Sequence, residues 1–170
     1  PKSALEEVDK IYDQAVKEKS DVQQIKALIY QLKYNSQISD SSVTQNLEKI
    51  EQRIAATSGV QRAILQSIRG EMLLNYLRSN RYRLYNQTAI AGGNQGEDIT
   101  TWSADQLNKA ITAAYQASLS EKDLLGKTNI AQFDPIVIQG TKNTRPLRPS
   151  LYDLLAHRAL DYFKSGEANI

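Results

Sequence analysis

The densest group of chemistry-capable side chains lies near the end of the chain, where Tyr152, Asp153, His157, Arg158 and Asp161 fall within ten positions. His157 is the only histidine; Asp153 precedes it by four residues and Asp161 follows by four. On a helix that spacing places both carboxylates on one face with the imidazole, and a carboxylate paired with histidine is a component of general-base and metal sites. A single histidine without cysteine makes a poor metal site, however, and the same segment reads fully as folding. Pro149 and Ser150 mark a helix start, Asp153 sits three residues after Ser150 as in a capping box, and Leu151, Leu154, Leu155, Ala159 and Phe163 form an apolar stripe. The favoured reading is a capped packing helix in which His157 makes a structural hydrogen bond or ion pair.

A second group mixes cations with rings. Leu74 to Tyr85 interleaves Arg78, Arg81 and Arg83 with Tyr76, Tyr82 and Tyr85. Such a mixture can hold a single strand by phosphate contact and base stacking. The competing reading packs the tyrosine rings between helices and lets the arginines reach water along apolar surface. Lys142, Arg145 and Arg148 form a smaller basic group in a proline-punctuated stretch, readable as an anion patch or as a solvated connector. Gly92, Gly93 and Gly96 lack the Gly-Lys-Ser/Thr ending of a phosphate loop. Asn86-Gln87-Thr88 spells a glycosylation acceptor but carries no weight by itself. With no assembled catalytic set, the sequence points away from enzymatic function and implies no cofactor.

Composition sets the frame for these groups. The 170 residues are 41% hydrophobic and 24% charged, ordinary values for a globular chain able to bury a core. Twenty-one Lys and Arg stand against 19 Asp and Glu, a net charge of +2, which gives no ground for a nucleic-acid or membrane partner. Cysteine is absent, removing disulfides, thiolate metal sites and cysteine nucleophiles together. No apolar run approaches the roughly 20 residues that cross a bilayer. Pro1 in place of Met, and an ending without a natural stop, lead us to expect a fragment of a longer protein.

The positioning elements are helices. Leu5, Val8, Ile11, Tyr12, Ala15 and Val16 share one helix face behind a Ser3/Glu6 capping box, and Val22, Ile25, Leu28, Ile29 and Leu32 continue after Ser20-Asp21. Val43, Leu47, Ile50 and Ile54, then Val60 to Leu77 after Gly59, repeat the arrangement about 38 residues on. Residues 86–101 have loop composition. Ser103 with Gln106 caps a further helix through Leu107, Ile111, Ala114, Tyr115 and Leu119, with Trp102 as its hydrophobic staple or a core anchor. A helical turn over Glu121 to Leu125 should stop at Gly126, and Ile136 to Ile138 is too short to assign as strand or buried extended segment. The sequence therefore predicts an all-α domain spanning 1–170. Residues 1–85 form two antiparallel hairpins stacked in a short solenoid-like, tetratricopeptide-like array. Residues 86–101 are a long loop, and 102–170 hold further helices and an extended connector.

Five phrases in order resemble the helical N-terminal region of large bacterial alpha-2-macroglobulin-like proteins, whose chains continue into macroglobulin domains. They are Pro1 to Tyr12, Gln24 to Tyr30, Asn75 to Asn86, Thr101-Trp102 and Arg148 to Phe163. The resemblance implies a module of a protease-inhibiting protein in the bacterial periplasm or cell envelope. Its partners would be other domains of the same chain, with proteases or envelope proteins beyond them, and no nucleic acid. The family's thioester needs a Cys-x-Glu-Gln motif that this chain lacks, so no functional residue carries over. Arg78, Arg81, Tyr82, Arg83, Tyr85, Lys142, Arg145 and Arg148 remain the candidate interaction surface. The alternative function is a helical nucleic-acid-binding module using residues 76–85.

Overall fold

A computed structural model describes residues 2–38, 42–86, 98–138, 140 and 144–167, without the side chains of Tyr85 and Asn86. The fold is all-helical, and no β-strand occurs among the described residues. The helices are α1 (Lys2–Lys17), α2 (Asp21–Ile38), α3 (Ser42–Ala55), α4 (Gly59–Ser79), α5 (Arg81–Asn86), α6 (Ala104–Ser118), α7 (Lys122–Lys127) and α8 (Leu151–Lys164). They divide into two compact units, one of residues 1–46 with 122–154 and one of residues 47–121 with 155–170. Helices α3 and α8 each contribute residues to both.

In the first unit α1 and α2 form an antiparallel hairpin. The Gln24 amide donates to the Ala15 carbonyl at 3.3 Å and the Gln31 amide to Asp9 at 2.6 Å, so position falls on one helix as it rises on the other. The reversal is made by Lys19, whose φ of 53° places a non-glycine residue in the left-handed region. The Ser20 N–H reaches back to the Ala15 carbonyl at 3.0 Å, closing the helix end. Tyr12, Ala15, Ile25, Leu28 and Leu32 fill the seam, while Ile11 and Val16, assigned by periodicity to the same face, are about half exposed. The apolar stripe is wider than the single surface α2 covers. Nor does Ser3 cap α1: the helix already runs from Lys2, so Ser3 lies inside its first turn.

Asn46, the last residue of this unit on α3, is buried and ties α3 to α2. Its amide donates to the Leu32 carbonyl at 2.9 Å and the Ser36 hydroxyl at 3.0 Å, and its oxygen accepts from Asn35 at 2.7 Å. Farther along, α7 continues through Gly126 to Lys127 because one glycine costs a helix only about 1 kcal/mol. Thr128 ends it by donating its hydroxyl to the Leu124 carbonyl at 2.8 Å. Residues 128–130 then pair with 149–151: the Ile130 N–H donates to the Pro149 carbonyl at 3.0 Å and the Leu151 N–H to the Thr128 carbonyl at 2.8 Å. Ile136 to Ile138 is neither strand nor buried. The Ile136 and Val137 N–H groups fold back on the Phe133 carbonyl, and Ile138 is 97% exposed.

In the second unit α3 and α4 are again antiparallel. Arg69 donates to Glu51 at 2.9 and 3.1 Å, and Arg62 Nε to the Ile54 carbonyl at 3.2 Å. Gly59 opens α4 with φ 57°, the sharp entry that glycine permits. Helix α4 is buried over most of its surface: Leu65 and Leu74 join Ala63, Ile64, Leu73, Tyr76 and Leu77 in the core, while Arg62, Glu71, Asn75 and Arg78 are exposed. It packs against α6, and at Gly70 an added Cβ would meet the Tyr115 ring at 3.2 Å. Ser103 and Gln106 form the capping box read from sequence, and Trp102 is buried just before it.

Candidate functional site

The closing helix is built as a packing element. The Ser150 N–H and hydroxyl donate to Asp153 Oδ2 at 3.0 and 2.7 Å, and the Asp153 N–H donates to the Ser150 hydroxyl at 3.2 Å. This is a complete capping box, worth about 1 kcal/mol. Asp153, one of the two carboxylates four residues from His157, is thus engaged at the helix start. His157 is half-buried and Asp161 exposed. Among the described residues, no group of three or more His, Cys, Asp or Glu side chains is placed to hold a metal ion. Leu151, Leu155, Ala159 and Tyr162 form the buried stripe, with Tyr162 in the place that periodicity gave to Phe163.

Within the second unit, α8 is tied to α4 and α6 through polar side chains that periodicity could not single out. Arg158 Nε donates to the buried Ser67 hydroxyl at 2.8 Å, and its Nη2 pairs with Glu71. The Tyr162 ring stacks on Tyr115, with centroids 5.4 Å apart and planes 26° from parallel. Its hydroxyl lies 3.3 Å from that of Thr112 and 3.4 Å from the Asn108 carbonyl and amide oxygens. Burial pushes both phenols above their ordinary value, opposed at Tyr115 by the Arg158 charge and at Tyr162 by the Thr112 hydrogen bond. Neutral, stacked and hydrogen-bonded rings of this kind suit a core contact.

The basic and aromatic group at the end of α4 is likewise drawn into the fold. Arg78 Nε donates to both oxygens of Glu167 at 3.0 and 3.2 Å, its Nη2 lies 2.9 Å from Oε2, and Arg81 Nη2 lies 3.9 Å from Oε1. The Glu167 hydrogen bond raises the Arg78 guanidinium above its ordinary value, against burial. Arg83 donates to the Thr100 carbonyl at 3.0 Å and to the Tyr76 hydroxyl at 2.7 Å, with Tyr76 itself buried. Tyr82 is 87% exposed. The backbone of Tyr85 belongs to α5; its side chain lies outside the described residues.

Of the other basic group, Lys142 lies outside the described residues. In the first unit Arg145 pairs with Asp134 while its Nη1 is buried without a hydrogen-bond partner among the described residues, and Arg148 is exposed. The two groups belong to different units. The glycines Gly92, Gly93 and Gly96, and the Gln87-Thr88 half of the glycosylation acceptor, also lie outside the described residues.

The chain matches no family model, no curated protein and no solved structure. The ties with the clearest sequence signal are the two capping boxes, Ser103/Gln106 and Ser150/Asp153. The Arg158, Ser67 and Glu71 tie joins residues 91 and 87 positions apart and leaves no local pattern.

Proposed function

We propose that this chain is a non-catalytic structural and interaction domain, with its hairpins stacked as a short solenoid-like, tetratricopeptide-like array, in an alpha-2-macroglobulin-like protein that inhibits proteases at the bacterial envelope. The observation that carries the non-catalytic part is the use made of the candidate chemical groups. Asp153 caps a helix, Arg158 ties α8 to Ser67 and Glu71 of α4, Arg83 holds the Thr100 turn, and Arg78 grips Glu167. Asp153 closes the start of its own helix, and the three arginines tie one element to another, which is the work of a scaffold. The parent family is supported by the five ordered phrases that span the chain. The partners under this reading are the neighbouring domains of the parent chain, with proteases or envelope proteins beyond them.

The test is the parent open reading frame together with the secreted fraction of the cell. A lipoprotein or secretory signal upstream and β-rich macroglobulin domains downstream are the expected result; a stop codon directly after Ile170 would overturn the parent assignment. The exposed Tyr82 ring beside Arg81 favours one competing reading, a single-strand nucleic-acid surface. Salt-dependent retention of labelled single-stranded RNA would establish that reading instead, and no retention at low salt removes it.

A further inference from the structure

Glu167 sits in an unusual position for a surface carboxylate. Its side chain is only 12% exposed, although it lies beyond the end of α8, and the guanidinium that covers it is about half exposed. Three features place it there. Ser165 donates its hydroxyl to the Tyr162 carbonyl at 2.6 Å, closing the last turn of α8. Gly166 then takes φ 77°, the left-handed bend that glycine adopts without strain, and turns the chain back. The carboxylate arrives with both oxygens on Arg78 and one oxygen toward Arg81, while the Ser165 hydroxyl lies 3.4 Å from Oε2.

Arg78 and Arg81 are three residues apart across the break between α4 and α5, where Asn80 closes α4. The planar guanidinium of Arg78 matches a carboxylate in fork geometry, and the Arg81 contact adds charge. A glutamate presented on a tight peptide turn therefore already fits this pair of arginines, and the glutamate that does so comes from the same chain.

We propose that Arg78 and Arg81 form a carboxylate-binding clasp that Glu167 fills in cis, and that an acidic peptide of a partner protein docks there by displacing the turn of residues 165–167. The tethered carboxylate acts at an effective concentration on the order of millimolar or higher, so a weak ligand in trans is excluded until the turn releases. The turn is then an internal competitor, and its release opens the interaction surface. This inference stands or falls independently of the parent family.

The test uses the full 170-residue chain and nitrogen-15 spectra of the arginine Nε–Hε groups. A hexaglutamate peptide is titrated at constant ionic strength, with hexaglutamine as the uncharged control. In E167Q, the Arg78 and Arg81 signals should shift saturably with hexaglutamate and stay unmoved with hexaglutamine. The wild-type chain should respond at least about tenfold more weakly, as a tethered competitor requires. In the double variant R78Q/E167Q the Arg81 response should disappear. A chain ending at Lys164 removes the occupant outright and should show the same gain as E167Q, with circular dichroism checking that α8 stays folded in both. Equal responses in wild type and E167Q, no response in either occupant-free chain, or a response that survives R78Q would each overturn the clasp.

Discussion

Replacing Gly70 by alanine sets two calculable effects against each other. An added methyl improves helix propensity inside α4 by about 1 kcal/mol. The same methyl would stand 3.2 Å from Cε2 and Cζ of Tyr115, a few tenths of an ångström inside comfortable contact. Tyr115 has little room to retreat, because it is buried and its ring is stacked on Tyr162. Overpacking a filled core costs about 1–3 kcal/mol. The balance predicts a net loss of about 1 kcal/mol, or about 2–4 °C in melting temperature for a chain of this length. Thermal and urea melts followed by circular dichroism measure it. The decisive comparison is Gly70→Ala in a Tyr115→Leu background, where the ring is gone and only the propensity gain remains. There the same substitution should stabilise by about 1 kcal/mol, giving opposite signs in the two backgrounds. Stabilisation in the wild-type chain, or the same loss in both backgrounds, would refute the close-approach account.

Three further outcomes follow from the local geometry. Asn46→Ala removes three hydrogen bonds at a buried site and should cost about 2 kcal/mol in urea denaturation, since partners are left unsatisfied. Lys19→Gly relieves a left-handed non-glycine residue and should raise stability by about 1 kcal/mol, net of the entropy glycine adds to the unfolded chain. Tyr115 and Tyr162 both titrate above the ordinary phenol value in the folded state. The folded protein thus holds protons that the unfolded chain has released, and stability present below about pH 10 is lost as pH rises beyond it. Urea melts across the alkaline range should show that decline, and Tyr115→Phe with Tyr162→Phe should flatten it.

How legible each feature was in the sequence depended on its range. Capping boxes need residues three apart, and Ser103/Gln106 and Ser150/Asp153 were read from spacing and found in place. Ser3 with Glu6 has the same spelling, yet nothing at Ser3 forces a helix to start there, and α1 begins one residue earlier. Gly126 failed as a stop because glycine weakens a helix without breaking its hydrogen bonds. Periodicity found the helices but misassigned some faces. Ile11, Val43 and Phe163 are exposed although their spacing is apolar, and Tyr162 occupies the core contact instead. A phenol buries its ring as well as phenylalanine does when a neighbour, here Thr112, accepts or donates to the hydroxyl.

The amino-acid sequence by itself determined that this chain is helical, where most of its helices begin, and that no cysteine chemistry is open to it. Those properties follow from composition and from interactions within one or two turns. Only the tertiary structure decided the use of the charged and aromatic groups. Arg78 meets a carboxylate 89 residues away, Arg158 reaches back to Ser67 across 91, and Gly70 yields its space to Tyr115 on another helix. Side chains so far apart along the chain are brought together by burial of the helix faces between them, and burial depends on all the helices at once.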